Sequence, residues 1–166
     1  MRTVDVLELA REAGSVEGEV EAADLARLSG MLAAPMGRIR YRFDGRIDDR
    51  GRSAASLRIE ARLGLNCDLC GERLDWALDE SDRFFFVDDE AQLGALPITA
   101  DGDEPLLASR RFDLQDLVEE QTILALPISP RHPACERRAR VEQPQDDASR
   151  PFAVLASLKR GRTDIQ

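Results

Sequence analysis

The first clear periodicity along the chain begins at Arg38, where apolar and basic residues alternate. Ile39, Tyr41 and Phe43 fall on one side and Arg38, Arg40 and Arg42 on the other. Successive residues of an extended strand point to opposite faces, so this pattern predicts a half-buried antiparallel strand with an arginine face. Asp44-Gly45 is a turn signal and the polar, Gly-containing stretch 48–53 reads as a loop. A second run follows, with Leu57, Ile59, Ala61, Leu63 and Leu65 set against Arg58, Glu60 and Arg62. A third contains Leu74, Trp76 and Leu78 and ends in Phe84-Phe85-Phe86-Val87. Neighbouring alternating runs with turn signals between them predict a meander.

Outside this region the pattern is weaker. Residues 4–34 hold short apolar groups among acids and predict helices at Val4–Ala13 and Ala22–Ala33, separated by Gly14 and Gly18. Residues 88–104, acidic and punctuated by Gly and Pro, read as an exposed loop. Asp113 is placed to cap a helix over 113–125, with Leu114, Leu117, Val118 and Gln121 at helical spacing, and Pro127 and Pro130 end it. The fold class expected is therefore α+β: an antiparallel meander sheet of three to five strands, its barrel-like curvature left open, packed by one main helix and flanked by N-terminal helices.

The domain plan is a single α+β domain over 1–135, made of a helical part at 1–37 and the sheet, acidic loop and helix at 38–135. Residues 136–150 combine Arg, Glu, Gln, Asp and Pro without periodicity and read as a flexible linker to a C-terminal helix and tail at 151–166. In that helix Phe152, Leu155 and Leu158 recur at i, i+3 and i+6 ahead of Lys159. So short a helix needs a surface to fold on, which makes these four residues candidates for docking a partner.

Charge narrows the function. The chain of 166 residues carries a net charge of −9 at a pI near 4.7, which excludes a generic basic nucleic-acid coat. The imbalance is local, because residues 67–130 hold 4 basic and 16 acidic groups, whereas residues 38–66 hold 8 basic and 4 acidic ones. Arg38, Arg40, Arg42, Arg58 and Arg62 are thus the RNA-contact candidates, unless each is paired to a nearby acid. No apolar run approaches the ~20 residues of a membrane span and the opening lacks the pattern of a signal peptide, so the expected address is the cytoplasm, with no membrane partner.

The inventory is poor in catalytic parts. There is one His and only one Lys, no Gly-Lys-Ser/Thr phosphate loop and no Gly-x-Gly-x-x-Gly. What remains is a group of thiols. Cys67-Asp-Leu-Cys70-Gly71 follows the second strand directly, the shape of a zinc knuckle, in which the turn aims both sulfurs at one ion. A tetrahedral site needs two more ligands, and His132 and Cys135, at His-x-x-Cys spacing, are the candidates. Three readings stay open at this point: a Cys3His zinc site, free thiols in or near the core, and a redox pair. The last is disfavoured by flanks that look like antiparallel strands rather than a helix start.

Several strings together resemble the large-ribosomal-RNA-subunit accumulation proteins of bacteria, the YceD-like family. They are Cys67-Asp-Leu-Cys70 after an alternating strand, Phe112-Asp-Leu-x-x-Leu-Val-Glu-Glu, Leu124-Ala-Leu-Pro127, the His/Cys segment ending at Cys135, and Pro151-Phe-Ala-Val-Leu-Ala-Ser-Leu-Lys159. The resemblance spans roughly residues 38–160, and the terminal string is its most specific element. It implies a non-enzymatic cytoplasmic role in ribosome biogenesis: synthesis, processing or stability of 23S rRNA and assembly of the large ribosomal subunit. The partner expected is a 23S rRNA precursor or a basic large-subunit ribosomal protein, and the alternative is a thiol- or zinc-dependent enzyme of RNA maturation. Some relatives carry more cysteines near the C-terminal part than this chain does.

Overall fold

The computed structural model describes residues 3–96 and 102–135. Its element order is β1 (Thr3–Val4), α1 (Val6–Arg11), β2 (Ser15–Glu21), a 3-10 turn (Ala22–Asp24), α2 (Ala26–Ser29), β3 (Arg38–Ile47), β4 (Ser53–Asn66), β5 (Arg73–Val87), α3 (Glu90–Ala95), β6 (Glu104–Leu107), β7 (Phe112–Asp113) and α4 (Leu114–Leu124). The fold is α+β, built on a 5-stranded sheet in the order β2-β3-β4-β5-β6. The predicted meander is there: β2 to β5 run antiparallel, each beside the next. The sheet does not close into a barrel, and it is mixed, because β6 pairs parallel with β5 from Phe84↔Glu104 to Val87↔Leu107.

The alternation read in the sequence sets the faces. Ile39 and Phe43 on β3, Leu57, Ile59, Leu63 and Leu65 on β4, and Leu74, Leu78 and Phe84 on β5 are buried on one face. Over them lie Val6 of α1, Leu25, Leu28 of α2, and Leu114, Leu117 and Val118 of α4. Asp113 caps α4 as predicted, accepting the N–H groups of Gln115 and Asp116 at 3.1 and 3.2 Å. At the far end of the sheet the core changes side: Ala54, Phe85 and Val87 pack with Leu93, Leu96 and Leu107 on the opposite face.

Two expectations need correction. The N-terminal part is not simply helical, since α1 covers only Val6–Arg11 and Ser15–Glu21 forms β2. Val16 and Val20 are half-buried while Glu17, Glu19 and Glu21 are exposed, a period-2 pattern that the Gly14 and Gly18 breaks obscure. Gly18 leaves room for the Tyr41 side chain, whose hydroxyl oxygen would lie 2.5 Å from a Cβ there. Within 88–104, Asp89 caps α3 through the Gln92 N–H at 2.8 Å, and Glu104 opens β6, so the stretch is not all loop. The linker and the docking candidates Phe152, Leu155, Leu158 and Lys159 lie outside the described residues.

Candidate metal centre

The knuckle occupies the turn of the hairpin formed by the two longest strands. β4 and β5 pair down to Asn66↔Arg73, and the chain between them is folded by hydrogen bonds from the Cys67 N–H to the Glu72 carbonyl (2.9 Å) and the Gly71 N–H to the Cys67 carbonyl (2.8 Å). Gly71 has φ +76, a left-handed conformation that favours glycine, so the Gly after Cys70 is a backbone requirement. The second ligand pair arrives from the other end of the domain. After α4 the chain returns across the hairpin, where the Asp68 N–H donates to the Pro130 carbonyl at 2.9 Å and the Cys135 N–H to the His132 carbonyl at 3.3 Å.

The sequence-predicted set comes together completely. Ligand atoms of Cys67, Cys70, His132 and Cys135 all lie within 4.8 Å of one another. Cys67 Sγ is 3.6 Å from Cys135 Sγ, and Cys70 Sγ is 3.6 Å from His132 Nδ1. Zn–S bonds of about 2.3 Å at tetrahedral angles place neighbouring sulfurs about 3.8 Å apart, so the spacing suits one ion at the centre. The imidazole is oriented by a partner that sequence reasoning missed: His132 Nε2 donates to the Arg73 backbone carbonyl at 3.1 Å. That bond assigns the proton to Nε2 and leaves the Nδ1 lone pair facing the sulfurs, the arrangement by which a hydrogen bond from the far ring nitrogen orients a metal-binding histidine. No residue motif marks a main-chain acceptor; only the hairpin register, which sets Arg73 opposite Asn66, could have pointed to it.

Electrostatics favour thiolate here. Burial pushes the Cys67 thiol up, but the N–H groups of Cys70, His132 and Leu69 and the neighbouring Cys135 outweigh it and hold it down to about 5. Burial, hydrogen bonds to Cys67 and Cys70 and their charge push Cys135 up to about 12. The cluster alone thus accommodates one thiolate readily and resists a second, whereas a divalent cation would stabilise them together. Soft sulfur and imidazole donors fit zinc rather than a hard, oxygen-seeking ion. Four protein ligands also close the coordination sphere, the mark of a structural rather than a catalytic zinc site. Cys67 is 1% exposed and sits in a hairpin turn, a poor setting for an attacking thiol.

The arginine candidates share a face, as their alternation requires, but they share it with acids. β2 sets Glu17, Glu19 and Glu21 directly opposite Arg42, Arg40 and Arg38. Ion pairs follow at 2.7 Å for Arg40–Glu19 and Arg42–Glu17 and at 2.8 Å for Arg38–Glu21, while Arg58 meets Glu60 at 3.1 Å and Asp79 at 3.0 Å. Arg62 lies on the same face with Arg38, Arg40, Glu60 and Asp79 around a shallow recess. The result is an alternating ladder of charge in place of a compact positive patch.

Compared with known protein families, residues 55–159 match the family described as large ribosomal RNA subunit accumulation protein YceD. The chain belongs to the YceD family. The match spans all four residues of the candidate metal centre, most of the hairpin that carries Cys67 and Cys70, and the helix that precedes His132 and Cys135. The family name assigns these proteins to the accumulation of large-subunit ribosomal RNA. No curated protein and no solved structure matches the chain. No helix among the described residues is long and apolar enough to cross a membrane.

Proposed function

We propose that this YceD protein is a non-enzymatic, cytoplasmic factor of large-subunit biogenesis that holds a basic ribosomal protein for the assembling particle and so supports 23S rRNA. The observation that carries this reading is the charge ladder. With Arg38, Arg40, Arg42 and Arg58 ion-paired to acids and Arg62 alone of the five without an ion pair among the described residues, the face that would attract phosphate is largely neutralised, and the net charge of −9 is left to attract cationic protein. The closed Cys3His set supports the non-enzymatic part, with zinc clamping the end of the domain to the β4–β5 hairpin.

Direct contact with an rRNA precursor is the second reading. It draws support from a corner at the β3–β4 turn, where Arg46, Arg50, Arg52 and Arg83 line a cavity of about 410 Å³. There Arg46 and Arg83 share the carboxylate of Asp103, while Asp48, paired to Arg52, and Asp49 also line the cavity, so the four arginines face three acids. Cross-linking in cells followed by gradient fractionation separates the two. Adducts to a basic large-subunit protein are expected; adducts to 23S rRNA precursor alone would overturn the protein-holding reading. A thiol- or zinc-dependent enzyme of RNA maturation would instead be favoured by a Cys67→Ser protein that keeps full stability and loses function.

A further inference from the structure

β5 is the longest strand and only part of it is covered on both sides. β4 pairs with it along its length, from Asn66↔Arg73 to Ala54↔Phe85, whereas β6 covers its other edge only from Phe84 to Val87. Among the described residues, no backbone hydrogen bond reaches the free edge between Leu74 and Arg83. A bare edge of this length presents a row of unpaired N–H and C=O groups, which folded proteins normally cover, shorten or guard with charge.

Here the guard is acidic except at its end, where Arg83 is paired to Asp103 at 3.1 Å. Asp75 and Asp79 project from the outer face with side chains 82% and 65% exposed, and Glu80 and Asp82 stand on the inner face, where the strand's neighbours are Leu78 and Phe84. Arg73 and Arg58 offset the two outer acids only in part, each being a single exposed pair. Asp82 is flanked by the like charges of Glu80 and Glu104. Edge-to-edge pairing of two copies would set these acids against each other, so a second copy is the wrong occupant. A lysine- or arginine-rich extended segment is the right one, because between Leu74 and Asp82 the charges it meets are those of Asp75, Asp79, Glu80 and Asp82.

We infer that the free edge of β5, from Leu74 to Arg83, is a strand-addition site for a basic, extended protein segment. Main-chain hydrogen bonds would supply affinity and Asp75, Asp79 and Asp82 would select charge, the usual division of labour in β-augmentation. The inference rests on the protein-holding reading proposed above and names the surface that does the holding. The Cys/His cluster sits at the start of this edge, since His132 Nε2 donates to the Arg73 carbonyl one residue before it.

The probe is a synthetic peptide of about ten residues alternating Lys and Thr, compared with the same peptide N-methylated at every peptide bond, which keeps the charge and removes the ladder donors. The expected result is amide-exchange protection confined to residues 74–83 with the first peptide, and binding at least about tenfold weaker with the second. An Asp75→Asn, Asp79→Asn, Asp82→Asn protein should also bind at least about tenfold more weakly while melting no lower than the parent. Equal binding of the two peptides, or protection appearing elsewhere in the sheet, would overturn the inference. The outcome is separable from the parent reading. A basic ribosomal protein that cross-links in cells yet leaves the 74–83 amides unprotected removes this surface alone; edge binding of the peptide without such a cross-link removes the cellular reading and leaves the surface.

Discussion

Glu119 holds Arg27 by both main chain and side chain. One carboxylate oxygen accepts the Arg27 N–H at 2.7 Å and the Leu28 N–H at 3.1 Å, and the other accepts Arg27 Nε at 3.1 Å. A carboxylate of α4 thus caps the first turn of α2, whose own preceding residue, Leu25, offers no side-chain cap. It is one of the few charged side chains in the core, only 10% exposed.

Glu119→Gln keeps the shape and removes the charge, so it is expected to lower stability at neutral pH by about 1–2 kcal/mol. Burial alone would raise the Glu119 pKa, but the Leu28 N–H, the Arg27 side chain and the Arg27 N–H together hold it below the usual 4.5. A depressed carboxylate contributes stability that is complete above its unfolded pKa and is lost as pH falls through the folded one. The parent and the Gln variant should therefore converge in denaturant midpoint as pH drops below about 4.5.

Asp82 has the opposite sign. Burial first, and then the charges of Glu104 and Glu80, raise its pKa above the usual 3.8. Ionising it costs stability, and that cost grows as pH rises through the carboxylate range. Asp82→Asn should stabilise the protein at pH 7 by a few tenths of a kcal/mol after solvent screening, with the gain gone below about pH 4. Urea melts at both pH values decide this.

Two glycines of the sheet should respond differently to a methyl group. At Gly45 a Cβ would lie 2.5 Å from the Leu9 carbonyl oxygen and 2.8 Å from the Ala10 nitrogen, both backbone of α1. Gly45→Ala must push the helix off the sheet and is expected to cost about 2–3 kcal/mol, the upper part of the overpacking range. At Gly18 the obstruction is the Tyr41 ring, a half-buried side chain that can rotate away, so Gly18→Ala should cost about 1 kcal/mol or less. Equal melting shifts for the two would show that α1 is not locked onto β3.

Freshly purified protein should carry one equivalent of zinc by elemental analysis. Cobalt substitution should produce the strong visible bands of a tetrahedral thiolate site, and removing the metal with a chelator should lower the melting temperature by several degrees. Cys67→Ser and Cys135→Ser should each abolish stoichiometric binding. His132→Gln should weaken it, and lowering the pH should release the ion as protons compete for sulfur and imidazole.

Strands β3 and β4 were legible because each has one wet and one dry face, which writes a period of two into the residues. The Cys/His cluster was legible because a closed metal site needs four ligands and the chain offers few other candidates. β2 was harder: its inward positions are Val16, Gly18 and Val20, and a glycine there reads as a break although it is the space that Tyr41 fills. That miss had a consequence at the arginine face. Glu17, Glu19 and Glu21 belong to a distant part of the sequence, and only pairing β2 with β3 sets them against Arg42, Arg40 and Arg38. β6 is equally hidden, since Glu104-Pro105-Leu106-Leu107 has no alternation to betray a parallel strand.

The smallest sheet governs how the chain can be finished. β1 pairs Thr3 with Asp113 and Val4 with Phe112, and the Val6 N–H donates to the Ser109 carbonyl at 3.2 Å. Thr3 and Val4 therefore have no strand partner among the described residues until the segment that caps α4 has been made, and a contact between such remote parts is slow to close. During synthesis β3 and β4 can find each other early and α1 can pack on them, while β1 waits for its partner. A nascent chain halted before Phe112 keeps an unpaired beginning and lacks the helix that covers its core, so an interrupted product is left open to proteases while the completed one is sealed.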